Sequence, residues 1–197
     1  LPDLVKAKNY YDIPFDNFSV AMFHPITTEY KNIKTYAKNF IDALIESNIN
    51  YILIYPNNDL GSKEILDQIK RLKSNEKIKI FPSLRFEYFL RFLKESQFII
   101  GNSSAGIREA PYYNVPAIDI GTRQNNRAKL ASIFNCSYEK ESILEAIKKL
   151  DEIRIETEYI EKDKLHFGKG RSDKLFLKLL NSEQFWNIEH QKQFQEI

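Results

Sequence analysis

The sequence predicts an α/β fold built on an open, doubly wound parallel sheet. Short apolar runs bounded by turn residues alternate with longer segments whose apolar residues recur at helical spacing. Strands that are separated by helices pair in parallel, so this alternation indicates consecutive βαβ units with right-handed crossovers. Ligand sites of such sheets form where strands end. Polar or small residues stand just past five predicted strand ends, at His24, Asn57, Ser83, Asn102 and Gly121.

Three strands and three helices alternate in the first half of the chain. The apolar runs that predict the strands are residues 18–23, 51–55 and 78–81. Apolar residues on one helical face predict the helices, which begin near Thr28, at Ser62 and at Phe86. Residues 1–17 contain Pro2, Pro14 and several Asn and Asp residues, so they predict a loop-like linker.

The central segment, residues 98–127, reads FIIGNSSAGIREAPYYNVPAIDIGTRQNNR. It predicts a strand that ends at Gly101, a helix over 103–113 and another strand over 116–120. The pattern that follows predicts a short helix near 126–133, a strand over 134–138, a helix over 140–150 and helices after Ser172. The predicted sheet is therefore Rossmann-like, with successive strands on either side of its centre.

Residues 101–104 combine a glycine with hydroxyl side chains at the start of a predicted helix. Gly101 allows a sharp turn, and Ser103 or Ser104 can cap the helix. Unpaired N–H groups at a helix N-terminus favour an anion such as phosphate. Glu109 lies roughly one and a half turns further along, where a carboxylate can accept hydrogen bonds from a ribose diol. The residues alone also fit an ordinary capped helix after an ordinary strand.

The composition bounds the function classes. The 197 residues carry a formal net charge of +2, which gives no electrostatic case for nucleic acid or an anionic membrane as a partner. No apolar run approaches the ~20 residues that a membrane span needs. The single cysteine, Cys136, rules out an internal disulfide, fits a reducing cytoplasm and has apolar flanks that favour a structural role. No spacing of His, Cys and Asp indicates a metal site, and no cofactor is expected.

Three motifs follow one another along the chain: FHPITT at 23–28, GNSSAGIREAP with VPAIDIGTRQNNR after it, and HFGKG at 166–170. Together they resemble the UDP-N-acetylglucosamine 2-epimerase family, most closely its hydrolysing branch, although Lys169 stands where the family has Asp. The resemblance implies a Rossmann-like UDP-binding lobe over 18–171, as one lobe of a two-lobed GT-B-like enzyme. Residues 1–17 would then link it to an N-terminal lobe. Residues 172–197 would form helices that cross back to that lobe, with some aromatic side chains exposed here.

Six residues match positions that this family uses for the nucleotide or the chemistry. The resemblance implies that His24 binds or protonates the leaving diphosphate, that Ser103 and Ser104 bind it and that Arg123 offsets its charge. It also implies that Phe86 stacks on uracil and that Glu109 recognises the ribose diol. His24 is also expected to titrate near neutral pH. The residues alone also fit a surface histidine at His24, core packing at Phe86 and a rim salt bridge at Arg123.

The resemblance implies that the full-length protein converts UDP-N-acetylglucosamine (UDP-GlcNAc) and water into N-acetylmannosamine and UDP, in sialic-acid-type sugar biosynthesis. The family's acid/base carboxylates lie in the first lobe, so this chain alone is expected to bind UDP weakly with little turnover. The full-length protein is expected to be a cytoplasmic homodimer. Two alternatives stay open: the nucleotide-sugar-binding lobe of a GT-B glycosyltransferase, and a non-enzymatic UDP-sugar-binding module.

Overall fold

A computed structural model of the chain describes residues 1–152, 166–168 and 170–187. The chain divides into two units, Leu1–Lys164 and Leu165–Ile197. The first unit contains a β-sheet with helices on both of its faces, and the described residues of the second contain two helices. None of the helices in these described stretches is long and apolar enough to cross a membrane.

Six strands form one parallel sheet within the described residues. They are β1 (Ser19–Met22), β2 (Tyr51–Ile54), β3 (Ile78–Phe81), β4 (Ile99–Gly101), β5 (Ala117–Ile120) and β6 (Ile133–Cys136). Their order across the sheet is β3-β2-β1-β4-β5-β6, and every adjacent pair is parallel. The doubly wound parallel sheet predicted from the sequence is confirmed. The strand order reverses between β1 and β4, which places the switch point of the sheet at these two strands.

The described helices of the first unit pack on the sheet from both sides. They are α1 (Leu4–Tyr11), α2 (Ile33–Glu46), α3 (Ser62–Ile69), α4 (Phe86–Glu95), α5 (Ala105–Arg108) and α6 (Lys140–Glu152). Short 3₁₀ segments lie at Thr27–Asn32, Lys70–Leu72 and Pro111–Tyr113. The second unit contains α7 (Ser172–Leu180) and α8 (Glu183–Trp186).

Each face of the sheet has its own apolar core. One core joins α2, α3 and α6 to strand residues such as Ala21 and Leu53. The other joins α1, α4 and α5 to the alternating strand residues, such as Val20 and Ile52. Successive side chains of a strand point to opposite faces, so strands covered on both sides need apolar residues at every position. This is why the central strands appear in the sequence as continuous apolar runs rather than alternating ones.

The N-terminal segment is not the loop that its composition predicts. The prediction for residues 1–17 is wrong for Leu4–Tyr11, which form α1. Asp3 caps this helix, because its carboxylate accepts a backbone N–H of the first turn at 3.0 Å. Tyr11 packs edge-on against Tyr88 of α4, with 5.6 Å between ring centroids. The Asp3 cap is a local signal of this helix, whereas its packing on α4 joins positions far apart in the chain.

Two predicted helices after β4 also differ. The helix predicted over 103–113 is α5, which has four residues and gives way to a 3₁₀ turn at Pro111–Tyr113. Pro111 has no N–H to continue the helical ladder. The helix predicted near 126–133 is wrong, because turns lead into β6 instead. Asn126 has a φ of 64°, a left-handed conformation that a right-handed helix excludes.

The second unit exposes apolar side chains. Phe176 of α7 is 61% exposed and Trp186 of α8 is 64% exposed, in line with the expectation for the C-terminal helices. Two more apolar residues of this region, Ile188 and Phe194, lie outside the described residues, and so does Lys169 of the HFGKG motif.

Candidate functional site

Side chains that follow β1, β2, β3 and β4 meet in one cleft at the carboxyl edge of the sheet. The cleft has a volume of about 400 Å³, within the range of ~300–1,000 Å³ typical of small-molecule sites. It lies beside the switch point between β1 and β4, where open α/β sheets bind ligands. Five of the six predicted site residues line it, together with Asn57: His24, Phe86, Ser103, Ser104 and Glu109.

Asn102, which follows β4, fixes the backbone of His24, which follows β1. Its Oδ1 accepts the N–H of His24 at 2.6 Å, and its Nδ2 donates to the His24 carbonyl at 2.8 Å. Asn102 is fully buried, and its own N–H donates to the carbonyl of Met22. The side-chain amide thus continues the pairing of the two strands beyond the point where β4 ends.

The imidazole ring of His24 is fixed by a second contact. Its Nδ1 accepts the backbone N–H of Asn57 at 3.1 Å, so a neutral ring carries its proton on Nε2. Burial, and then Arg123, lower the pKa of His24 to about 4, while Asp59 raises it. The expectation that His24 titrates near neutral pH is therefore wrong. At pH 7 this ring is neutral, and its remaining hydrogen-bonding group is the Nε2–H donor.

Ser103 and Ser104 line the cleft between β4 and α5. Ser104 is the N-cap residue of α5 but makes no side-chain capping bond, so the predicted cap is wrong. Ser103 Oγ instead accepts the N–H of Ala105, two residues on, at 3.3 Å. α5 has only four residues, so its macrodipole is short. An anion here would be held by nearby hydroxyl and backbone N–H groups rather than by a long helix.

Gly101 makes the turn after β4 possible. Its φ is 135°, and a Cβ on this residue would lie 1.8 Å from the carbonyl oxygen of Met22 in β1. The backbones of β1 and the turn therefore approach too closely for any side chain. This close approach brings Asn102 within reach of His24.

Glu109 offers an unpaired carboxylate oxygen. Its Oε2 is buried and has no hydrogen-bond partner among the described residues. Burial raises the pKa of this carboxyl group, against the opposing effect of Arg108. A buried acceptor without a donor costs free energy, so the site is suited to a ligand that brings hydroxyl donors.

Phe86, the first residue of α4, presents its ring to the cleft. It is 63% exposed and stacks on Phe89, with 6.3 Å between centroids and 26° between planes. The core-packing alternative for Phe86 is therefore wrong. An exposed, supported aromatic face is suited to stacking on a flat ligand.

Arg123 lies behind the cleft rather than in its lining. Its guanidinium donates to the carbonyl of Asn102 at 3.1 Å, and Gln124 donates to the same oxygen at 2.8 Å. In the described part of the chain no carboxylate lies within 4.0 Å of this guanidinium, which speaks against the salt-bridge alternative. Arg123 therefore places positive charge beside His24 while bonded to the same support.

Asp119 of β5 is a buried carboxyl group near this support. It is 3% exposed, and its Oδ2 has no partner within the described stretches. Burial raises the pKa of Asp119 to about 6, although Arg123 lowers it. Burial also raises the pKa of the Cys136 thiol to about 12, consistent with a structural rather than a nucleophilic role.

Sequence similarity assigns the family. The profile of a protein family described as UDP-N-acetylglucosamine 2-epimerase matches residues 2–181. The chain belongs to this family. A relative from Neisseria meningitidis serogroup B, described as UDP-N-acetylglucosamine 2-epimerase, is 44% identical over 196 residues, which are 98% of this chain and 51% of that protein.

Two further relatives bear on the branch and the fold of this family member. A Campylobacter jejuni protein described as a hydrolyzing GDP/UDP-N,N'-diacetylbacillosamine 2-epimerase is 36% identical over 120 residues, 57% of this chain and 30% of that protein. The crystal structure of a Methanocaldococcus jannaschii UDP-GlcNAc 2-epimerase superposes with a TM-score of 0.70 at 19% identity, covering 89% of this chain and 48% of that one. The fold is thus that of one lobe of a GT-B-like epimerase. The chain spans about half the length of its curated relatives, or less.

Three residues of the candidate site have no strong sequence signal: Asn57, Asn102 and Gln124. Asn57 and Asn102 stand just past strand ends, which marked them as edge residues without a role. Gln124 is 2% exposed and lies two residues before the helix predicted near 126–133. The side chains of Asn102 and Gln124 bond main-chain atoms of other segments, and Asn57 donates its own main-chain N–H to the ring of His24. Such bonds leave no local pattern.

Proposed function

We propose that this chain is the nucleotide-binding half of a hydrolysing UDP-GlcNAc 2-epimerase. One observation carries the proposal: a single cleft holds groups suited to each part of UDP. They are an exposed aromatic ring for the base, an unpaired carboxylate oxygen for the ribose, and hydroxyl and N–H donors for the diphosphate. In this arrangement Phe86 stacks on uracil and Glu109 accepts hydrogen bonds from the ribose hydroxyls.

The diphosphate lies against Ser103, Ser104 and the Nε2–H of His24 in this proposal. Arg123, behind the cleft lining, offsets the charge of the diphosphate. Its positive charge already lowers the pKa of His24. A neutral imidazole that donates its only N–H stabilises negative charge by hydrogen bonding, because releasing that proton would leave an imidazolate. The role proposed for His24 is therefore binding the departing diphosphate rather than protonating it.

The proposed reaction uses this charge stabilisation when UDP departs. A carboxylate base removes the proton from C2 of the sugar, UDP leaves from C1 and a glycal forms. Water then adds across the double bond, giving N-acetylmannosamine with the 2-epimeric configuration, so the balance is UDP-GlcNAc plus water to N-acetylmannosamine plus UDP. We place the acid/base carboxylates outside this chain, which on its own would bind UDP weakly and turn over little.

Two observations favour the hydrolysing branch. The His24-Pro25 pair with Thr27 and Thr28 matches the motif of that branch. The Campylobacter jejuni relative is also described as hydrolyzing. We further propose that the full-length protein is a cytoplasmic homodimer, which light scattering of that protein would test.

Product analysis tests the reaction. Chromatographic separation against standards, followed by mass spectrometry, of products from UDP-GlcNAc and the full-length protein should show free N-acetylmannosamine and UDP; the separation is needed because C2 epimers have the same mass. A product that retains UDP would place the protein in the non-hydrolysing branch. Sugar transferred to an added acceptor would identify a glycosyltransferase instead. Binding of UDP by calorimetry with none of these products would favour the non-enzymatic module.

A further inference from the structure

We propose that Asn102 is a positioning residue that presents His24 to the cleft as a fixed N–H donor for a phosphate-type anion. The identity of that anion as the diphosphate of UDP rests on the proposed function. The positioning itself rests on hydrogen bonds within the described residues and is testable without any ligand.

The side-chain amide of Asn102 takes over where strand pairing stops. Met22 of β1 is opposite Gly101 of β4, the last residue of that strand. Beyond this point the amide accepts from the N–H of His24 and donates to its carbonyl, at 2.6 and 2.8 Å. This pair of bonds needs a donor and an acceptor on one short side chain. Aspartate lacks the donor, and serine is too short to span both groups.

The imidazole ring then has one available orientation for hydrogen bonding. Once Asn102 has set the backbone, Nδ1 meets the N–H of Asn57 at 3.1 Å. A protonated ring would turn two N–H groups toward each other at this contact. The charged groups that face His24 are Arg123 from the β5–β6 loop and Asp59 from the β2–α3 loop. The geometry therefore favours a neutral ring with Nε2–H directed to a ligand.

The same asparagine also links His24 to the cationic side of the cleft. The main-chain carbonyl oxygen of Asn102 accepts from Arg123 and Gln124, at 3.1 and 2.8 Å. The backbone of His24 and the guanidinium of Arg123 are therefore both hydrogen-bonded to the same buried residue, Asn102. A variant without the Asn102 side chain releases His24, whereas the main-chain carbonyl of residue 102 can still accept from Arg123. The contributions of His24 and of Arg123 to anion binding are therefore separable.

Nitrogen-15 NMR of the 197-residue chain measures the tautomer and the pKa of the His24 ring directly. The wild type should show the Nε2–H tautomer and a pKa well below 6.5. Asn102→Asp and Asn102→Ser should lose the single tautomer, and the pKa of His24 should move toward its ordinary value. Asn39→Ala is the matched control, because it removes an asparagine bond to the carbonyl of Tyr138, at 3.1 Å and away from His24.

Calorimetry with inorganic pyrophosphate and with UDP measures how the position of His24 affects anion binding. Asn102→Ser should weaken both by about ten- to a hundredfold, the range for a lost hydrogen bond to a charged group. Combining it with His24→Ala should add little, since both act through one ring. His24→Gln, which keeps an amide N–H near the Nε2 position, should retain more affinity than His24→Asn, which keeps only an acceptor near Nδ1.

Three results would overturn the proposal. One is a wild-type ring with its proton on Nδ1, which can be observed even if the Asn102 variants do not fold. Another is a folded Asn102 variant with unchanged tautomer, pKa and pyrophosphate affinity. The third is an equal loss of affinity in Asn39→Ala. If the tautomer depends on Asn102 while UDP fails to bind the wild type, the positioning role stands and the proposed function fails.

Discussion

The two walls of the cleft are built in opposite ways. The hydrogen-bonded wall, formed by His24, Asn57 and Asn102, has its polar groups tied to main-chain atoms of neighbouring strand ends. The open wall, formed by Phe86 and Glu109, has an exposed ring and a carboxylate oxygen without a partner in the described chain. One wall is fixed before a ligand arrives and the other is completed by it. Preorganised donors suit a group that carries charge, whereas unmet contacts suit recognition of a particular base and sugar.

The largest expected effect breaks the hydrogen-bonded wall at Gly101. In Gly101→Ala the new methyl group would overlap the carbonyl of Met22, so β1 and β4 must separate. We expect a loss of at least about 3 kcal/mol in the free energy of unfolding, measured by urea denaturation. Gly168→Ala is the control, since that glycine also has a positive φ but has nothing within 4 Å. Equal effects from both variants would mean that backbone strain, and not strand contact, sets the cost.

On the open wall, Glu109→Gln should weaken UDP binding by about ten- to a hundredfold, because a charged acceptor of ribose hydroxyls becomes a neutral amide. Calorimetry with UDP and with 2′,3′-dideoxy-UDP separates this role from a general loss of binding. The wild type should prefer UDP, and the variant should lose that preference. Glu145→Gln, an exposed change of the same chemistry on α6, should leave both affinities unchanged. A preference that survives in Glu109→Gln would place the ribose elsewhere.

Phe86→Ala should lower UDP affinity by about 1–3 kcal/mol, the usual contribution of stacking between a base and an aromatic ring. Pyrophosphate affinity should stay the same, because the hydrogen-bonded wall is untouched. Tyr112→Ala removes another exposed ring, 48% exposed and outside the cleft lining, and serves as the control. If Phe86→Ala weakens pyrophosphate and UDP equally, the two walls do not act on separate parts of the ligand.

The same contrast explains how much of the fold was readable from the sequence. β3 lies at residues 78–81 as predicted, and the other strands differ from prediction by a few residues at most. The central strands β1, β2 and β4 are covered on both faces and almost entirely apolar, which makes them visible locally. α1 was missed although Asp3 caps it, because the Pro, Asn and Asp residues of this segment are typical of loops. Its packing of Tyr11 on Tyr88 joins positions far apart in the chain. The turns that contain Asn126 depend on a left-handed residue that composition does not specify.

Within the site, the open wall was easier to predict than the hydrogen-bonded one. Phe86 and Glu109 are the kinds of residue that stack on a base or accept from a diol, so the motif resemblance named them. Asn102 and Gln124 act through main-chain atoms of other segments, and their residue types alone carry no such meaning. A residue that positions another becomes visible only when the strands are in place.

The smallest expected effect concerns two pKa values that shift in opposite directions. His24 has a pKa of about 4 in the folded chain against an ordinary 6.5, so the unfolded chain binds more protons between these values. Its contribution to stability is complete above pH 6.5 and is lost as the pH falls toward 4. Asp119 has a pKa of about 6 against an ordinary 3.8, so its contribution falls as the pH rises from 3.8 to 6.

Between pH 4 and 6 the two slopes therefore oppose each other, each at most about 1.4 kcal/mol per pH unit. Asp119→Asn should leave the histidine slope, so that the free energy of unfolding rises more steeply with pH than in the wild type. His24→Asn should leave the carboxyl slope, with stability that falls as the pH rises through the same window. Urea denaturation at several pH values measures both. Identical profiles for the wild type and both variants would show that neither His24 nor Asp119 has the shifted pKa that its burial produces.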